Sequence, residues 1–249
     1  MIGIKQMIRS GWCDGVDGAI ICEPEENQLC IEQKGAIRIA IRGYGKMAHG
    51  AMPRSGVNPI PPLAEMVTRF MRLEADECQR HGENPLLGWP SVTPSIFAGP
   101  ETGEPQINVV PAQALLTLDI RTLPSQDHDY LVRTIQSIVT QVAADVPGFR
   151  ATLEVIEDRP CTKTAREDPV VTASAKAYRM VTGKEPRYNG VPGATDGTFL
   201  WAWKQIPIVT YGAGNRTVPH QVDEYVDIPE LIETARIYAA AALLFLNEA

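Results

Sequence analysis

The sequence predicts an α/β fold of two domains, with a ferredoxin-like β-α-β-β-α-β domain inserted into a larger domain of helices and short strands. Three observations predict it. Residues 36 to 157 pass through strand, helix, strand, strand, helix and strand, the order of a split-βαβ sandwich whose helices cover one face of a four-stranded antiparallel sheet. From residue 160 the pattern turns to helices alternating with short strands and Gly-rich loops. A lone short strand near residue 20 cannot form a sheet, so residues 1–33 and 158–249 are expected to build one domain around the inserted 34–157.

Met1 to Arg9 has helical spacing, and Ala19 to Cys22 reads as a short strand ending at Glu23-Pro24. Residues 36 to 42 alternate Ile37, Ile39 and Ile41 with Arg38, Ala40 and Arg42, the period-two pattern of a half-buried strand. Gly43, Gly45 and Gly50 then loosen the chain. Pro59, Pro61 and Pro62 lead a helix over Leu63 to Leu73, because the first amides of a helix have no helical acceptor to lose. Ser91 to Ala98 and Ala114 to Arg121 are the next strands, the latter setting Leu116, Leu118 and Ile120 opposite Thr117, Asp119 and Arg121. Tyr130 to Ala143 is helical through Leu131, Ile135, Ile138 and Val142, and Thr152 to Glu157 closes the insertion. The uncovered face of such a sheet is either polar in a monomer or a surface for dimerisation.

Helices are next expected at Pro169 to Val181 and Thr195 to Trp203, a strand at Ile208 to Tyr211, and a long final helix. Asp227 and Glu230 fit a capping box with Pro229 in the first turn. Leu231, Ile232, Ala235, Leu243 and Leu246 are expected to be its packed face.

Composition narrows the function. The chain of 249 residues is 44% apolar and 21% charged, which suits a packed core. A net charge of −7 argues against a general affinity for nucleic acid or anionic lipid. The longest apolar run, Ile237 to Leu246, is far short of the roughly 20 residues that span a bilayer, so no membrane partner is expected. Five cysteines (Cys13, Cys22, Cys30, Cys78, Cys161) without a C-x-x-C pair suggest idle thiols in a reducing cytoplasm.

Chemistry-bearing residues are few. Glu23 follows directly on a strand, where open α/β sheets tend to meet ligands, although a surface carboxylate is the commoner occupant. His49 lies in a flexible loop beyond a strand end, and His220 lies just past another. His81 and His128 sit in polar connections and read as solvated bystanders. Gly193-Ala194-Thr195-Asp196 turns into a helix whose free amides can hold a carboxylate or acyl oxygen, or can simply start the helix.

Taken together and in order, these features resemble the co-catalytic zinc family of acetylornithine deacetylase, succinyl-diaminopimelate desuccinylase, aminoacylase and glutamate carboxypeptidase. The resemblance runs through Glu23-Pro24, Gln33-Lys34-Gly35, Ala48-His49-Gly50 with Gly56-Val57-Asn58, Asn108-Val109-Val110-Pro111, Asp119-Ile120-Arg121, Gly193-Ala194-Thr195-Asp196 and His220-Gln221-Val222-Asp223-Glu224-Tyr225-Val226. It implies a partial zinc-peptidase catalytic domain with an inserted dimerisation (lid) domain. Glu23 would be a ligand of one zinc and His220 of the other, with cobalt as another occupant. His49 would reach into the partner subunit's site and stabilise an oxyanion. Asn108 and Arg121 would grip a substrate carboxylate, and Gly193, Thr195 and Asp196 would line the pocket. The substrate would be an N-acyl amino acid or small peptide, cleaved by a homodimer.

The same family carries a His-x-Asp pair, a bridging Asp and a Glu-Glu pair upstream of its Glu-Pro motif. Only 22 residues precede Glu23, none of them a His, and Glu25-Glu26 falls on the wrong side of it. Each zinc would keep one protein ligand of the usual three or so, so weak or absent zinc and little hydrolysis are expected of this chain alone. A non-catalytic dimerisation or small-molecule-binding remnant is the alternative. Cys22, where many relatives have Gly, reads as a small buried side chain beside the metal.

Overall fold

The computed structural model describes residues 1–248. Along the chain lie α1 (Ile2–Arg9), β1 (Ala19–Ile21), β2 (Leu29–Gln33), β3 (Gly35–Tyr44), β4 (Ala48–His49), α2 (Ile60–His81), β5 (Ser91–Ala98), β6 (Val109–Val110), β7 (Gln113–Thr122) and α3 (His128–Ala144). There follow β8 (Arg150–Arg159), β9 (Thr162–Lys163), α4 (Pro169–Thr182), β10 (Tyr188–Val191), α5 (Gly197–Lys204), β11 (Ile208–Thr210) and α6 (Ile228–Glu248). Two units result: residues 1–35, 84–88 and the chain from 159 on, and residues 36–83 with 89–158.

In the second unit the sheet order is β5-β7-β3-β8, the ferredoxin-like arrangement that the element order implies. The alternation of β3 and β7 buries Ile37, Ile39, Ile41, Leu116, Leu118 and Ile120 against Leu63, Met66 and Phe70 of α2 and Leu131, Ile135 and Val139 of α3. The opposite face is a ladder of ion pairs. Arg38 reaches Asp119 at 3.2 Å and Glu157 at 2.5 Å, and Arg42 reaches Glu101 and Glu154, each at 2.7 Å. That face is charged, as a solvated sheet surface should be.

Helix α2 is longer at both ends than its apolar spacing indicates. Its last turns carry acids and bases, and one of them, Glu77, is buried because Arg80, His81 and Gln126 surround it. His81 and His128 are therefore not solvated bystanders. His81 also meets Ser125 at 3.0 Å, while His128 joins Asp158 at 2.6 Å to Thr122 at 2.7 Å.

In the first unit, β1 pairs in parallel with β11, β11 with β2 in antiparallel fashion, and β10 in parallel with β2; β9 also pairs with β2. Strand β2, absent from the sequence expectation, is buried along its whole length. With both faces covered it lacks the period-two signal, and its polar residues are satisfied by distant partners. Glu32 pairs with Lys163 at 3.2 Å and accepts from Asn84 at 2.7 Å.

The packed face of α6 also departs from expectation. Leu231, Ile232, Leu243 and Leu246 are exposed, whereas Thr234, Ile237 and Ala241 are buried, Ile237 and Ala241 in a cluster with Val171, Ala175 and Ala177 of α4. Small residues on both helices permit close approach, so the interface follows the fit of the surfaces rather than the largest side chains. Cys22 is likewise exposed, not buried, and none of the five cysteines is in a disulfide.

Candidate functional site

The parallel pairing of β1 and β11, with Ile21 beside Thr210, delivers the segments that follow both strands to one sheet edge. Glu23 begins one of them and Gly212 the other. Backbone bonds sew them together: Glu25 N and Asn27 N donate to Gly212 O at 3.2 and 2.9 Å, and Glu26 N to Gly214 O at 3.0 Å. Gly212 is needed for this approach, because a Cβ there would lie 2.6 Å from Glu23 O.

From Gly214 the chain runs over an exposed loop to His220, which adopts φ of 67° and donates its amide to Glu224 at 3.0 Å. The Glu23 carboxyl is raised above the usual range by burial and by the Asp196 carboxylate, an effect that His220 partly offsets. Asp196 comes from the turn before α5, which lies close because Gly197 has no side chain; a Cβ would sit 2.7 Å from Ile208 and 2.8 Å from Ile21. Glu23, Asp196 and His220 thus form one electrostatic neighbourhood.

Within the same turn Thr195 is buried, and Gly193 is half-buried. Thr195 is occupied: its amide and hydroxyl both donate to Gln33 Oε1, and its hydroxyl accepts from Gly197 N at 3.2 Å. Its visible role is to shape the turn.

As donor types, a carboxylate and an imidazole suit zinc, and a cation beside them would relieve the repulsion between Glu23 and Asp196. In number they fall short. Among the described residues no group of three or more His, Cys, Asp and Glu side chains could hold a metal ion.

In the second unit, β4 and β6 form a ribbon that pairs His49 with Val109, and Gly50 N donates to Asn108 O at 2.6 Å. His49 and Asn108 are therefore neighbours. Ala51 N–H donates to His49 Nδ1 at 3.0 Å, which leaves Nε2–H as the exposed donor of the neutral ring. Mutual backbone bonds between Lys46 and Val57 at 2.9 Å brace the ribbon's base. A cavity of about 610 Å³, lined by Met47, Gly99, Thr102, Ile107, Val109 and Gln113, lies behind it.

Arg121 is elsewhere in that unit. It stands eight residues along β7 from Gln113, about 27 Å at strand rise, and its guanidinium engages Asp119 at 2.6 and 3.2 Å. Asn108 precedes β7 and Arg121 nearly ends it.

Sequence reasoning missed a further pair. The carboxylate of Glu25 is buried and meets Arg216 at 2.6 Å, and Cys30 lies 3.5 Å from the same carboxylate. Burial, more than Arg216 offsets, raises the Glu25 carboxyl, and burial also pushes the Cys30 thiol up, so that it stays protonated. No motif marks Arg216; only the folded loop brings it to Glu25.

The family model for a peptidase dimerisation domain matches residues 31–147. A probable succinyl-diaminopimelate desuccinylase of Staphylococcus aureus (strain N315) is 26% identical over 268 aligned positions, covering 99% of this chain and 64% of the relative. A succinyl-diaminopimelate desuccinylase of Dinoroseobacter shibae is 29% identical, covering 89% and 55%. The chain thus spans less than two thirds of the length of these relatives. Among solved structures, a Staphylococcus aureus tripeptidase superposes with a TM-score of 0.76 at 18% identity, covering 98% of this chain and 61% of that one. A dinuclear metal-binding peptidase of the M20 family from Bacillus subtilis gives 0.70 at 15%, covering 98% and 61%. At such identities the superpositions speak for the fold.

Proposed function

We propose that the chain belongs to the M20 peptidase family and is part of a metal-dependent amidohydrolase acting on N-acyl amino acids or small peptides. The observation that carries the reading is that Glu23 and His220, a carboxylate and an imidazole, lie on two segments that leave one sheet edge and are joined by backbone bonds at Gly212 and Gly214. Each serves as a protein ligand of one of two zinc ions, with cobalt able to replace zinc, and the remaining donors come from polypeptide outside these 249 residues. When bound, such ions polarise the amide carbonyl.

The other residues take their roles from position. His49 presents Nε2–H, the kind of fixed donor that a tetrahedral oxyanion needs. Arg121 and Asn108 bind the substrate carboxylate, and Gly193, Thr195 and Asp196 shape the pocket wall. Since Arg121 and Asn108 lie toward opposite ends of β7, they serve one substrate only when they come from different copies. That favours a homodimer through the inserted unit, with His49 acting in the partner's site. That none of the five cysteines forms a disulfide fits a reducing cytoplasm.

The test is zinc titration and hydrolysis of N-succinyl and N-acetyl amino acids by the chain alone, and after mixing with a separately expressed polypeptide carrying the His-x-Asp and Glu-Glu segment of a relative. Turnover that appears only on mixing supports the proposal. Near-stoichiometric zinc with robust turnover by the chain alone sinks the claim that donors come from outside it. A dimer with neither metal nor turnover in either arm points to the second reading, a non-catalytic dimerisation or small-molecule-binding module.

A further inference from the structure

We propose that Arg216 is a positioning residue that holds the His220 loop against the Glu23 segment through the buried carboxylate of Glu25; this rests on reading Glu23 and His220 as metal donors. Glu25 lies two residues after Glu23, and Arg216 four residues before His220. Arg216 Nε meets Glu25 Oε2 at 2.6 Å, and its Nη2 donates to Gly190 O, on β10, at 2.7 Å. The guanidinium therefore fastens the loop to two places, the turn at Glu25 and strand β10, a task for its planar fork.

The need for a fastening follows from the rest of the loop. Residues 220–229 are all exposed. The bonds described for Thr217, His220 and Gln221 are local, to Asn215, Glu224 and Val218 or Thr217. Backbone bonding to the Glu23 segment ends at Gly214. Arg216 is then the side chain between Gly214 and His220 with a buried partner, and its ion pair sits where solvent screens it little. A donor on so exposed a loop is useful only if its place relative to Glu23 is held, and groups behind metal ligands commonly do this.

The experiment uses the full chain with Arg216→Met, Arg216→Lys and His220→Ala variants, each first checked for a cooperative melt. Two quantities are read: amide hydrogen exchange over 215–224, and affinity for zinc ion in titration of the chain mixed with the separately expressed polypeptide that carries the remaining donors. Arg216→Met should lose protection over 215–224 and weaken zinc binding about 10-fold, while Arg216→Lys, which keeps the charge, should recover most of both. Unchanged exchange in Arg216→Met overturns the fastening. Faster exchange with zinc affinity unchanged, while His220→Ala loses affinity, overturns its role toward the donors. If His220→Ala binds zinc as the parent does, the metal reading itself fails, and the exchange result alone then decides the fastening.

Discussion

Gln33 carries the turn before α5 through Thr195: its amide oxygen accepts from Thr195 N at 3.1 Å and Thr195 Oγ1 at 3.0 Å, while its nitrogen donates to Thr210 at 2.9 Å. All three residues are buried, so no water replaces a lost partner. Gln33→Leu, close in size, should cost about 2–4 kcal/mol because it strands several buried polar groups at once. Urea unfolding measures this. A loss below half a kilocalorie, on the order of an ordinary surface substitution, would mean that the network adds nothing.

What the sequence made legible follows from how each element is buried. Strands β3 and β7 have one covered face and display it as alternation, whereas β2 is covered on both faces and displays nothing. Glu32 and Gln33 look like surface residues until Lys163, Asn84, Thr195 and Thr210 are brought to them from far along the chain. The site divides in the same way. Glu23, His49 and His220 are visible through the order of motifs, but Arg216 and Glu25 become a pair only in the folded loop. The exposed stripe of α6 shows a further limit, since both sides of that helix are apolar and spacing cannot say which one packs.

Tyr211 gives an alkaline prediction. Its hydroxyl is buried, and burial pushes its pKa up to about 12, although Ser174 offsets part of the rise. The folded state thus favours the neutral phenol. The stability this contributes is complete below about pH 10, the unfolded value, and is lost as the pH climbs toward about 12; it amounts to roughly 2–3 kcal/mol. Absorbance at the tyrosinate band should show a late-titrating fraction among the seven tyrosines, and Tyr211→Phe should move the alkaline unfolding midpoint upward. A midpoint that stays put would contradict the assignment.

Gly45 is a packing requirement of the loop that bears His49. A Cβ there would lie 2.0 Å from Val57 O, so the Lys46–Val57 bridge cannot survive it unchanged. Gly45→Ala should cost about 2–4 kcal/mol through backbone displacement and expose the amides of Lys46 and Val57 to exchange. Retained protection at both amides would rule out the steric account.

His49 should separate function from stability. Its side chain is exposed and accepts one bond from a neighbouring amide, so His49→Ala should leave the melting transition within about 0.5 kcal/mol of the parent. In a reconstituted hydrolase the same change should lower kcat about 10²–10³-fold with little effect on KM, because an oxyanion donor acts in the transition state. A rise in KM with kcat intact would instead make His49 a ground-state binding group.

Helix α6 offers the sharpest test of packing against hydrophobicity. Ile237 is fully buried, whereas Leu243, six residues on, is 64% exposed. Ile237→Ala should cost about 2–5 kcal/mol, since it opens a void against α4 that the helices can only partly close. Leu243→Ser should stay within about 0.5 kcal/mol, because water already reaches most of that side chain. Both are read from urea midpoints at several protein concentrations. If Leu243→Ser costs as much as Ile237→Ala, and the cost grows with concentration, the exposed stripe is covered in solution by a second copy. The burial of Ile237 would then be only half of what holds α6 in place.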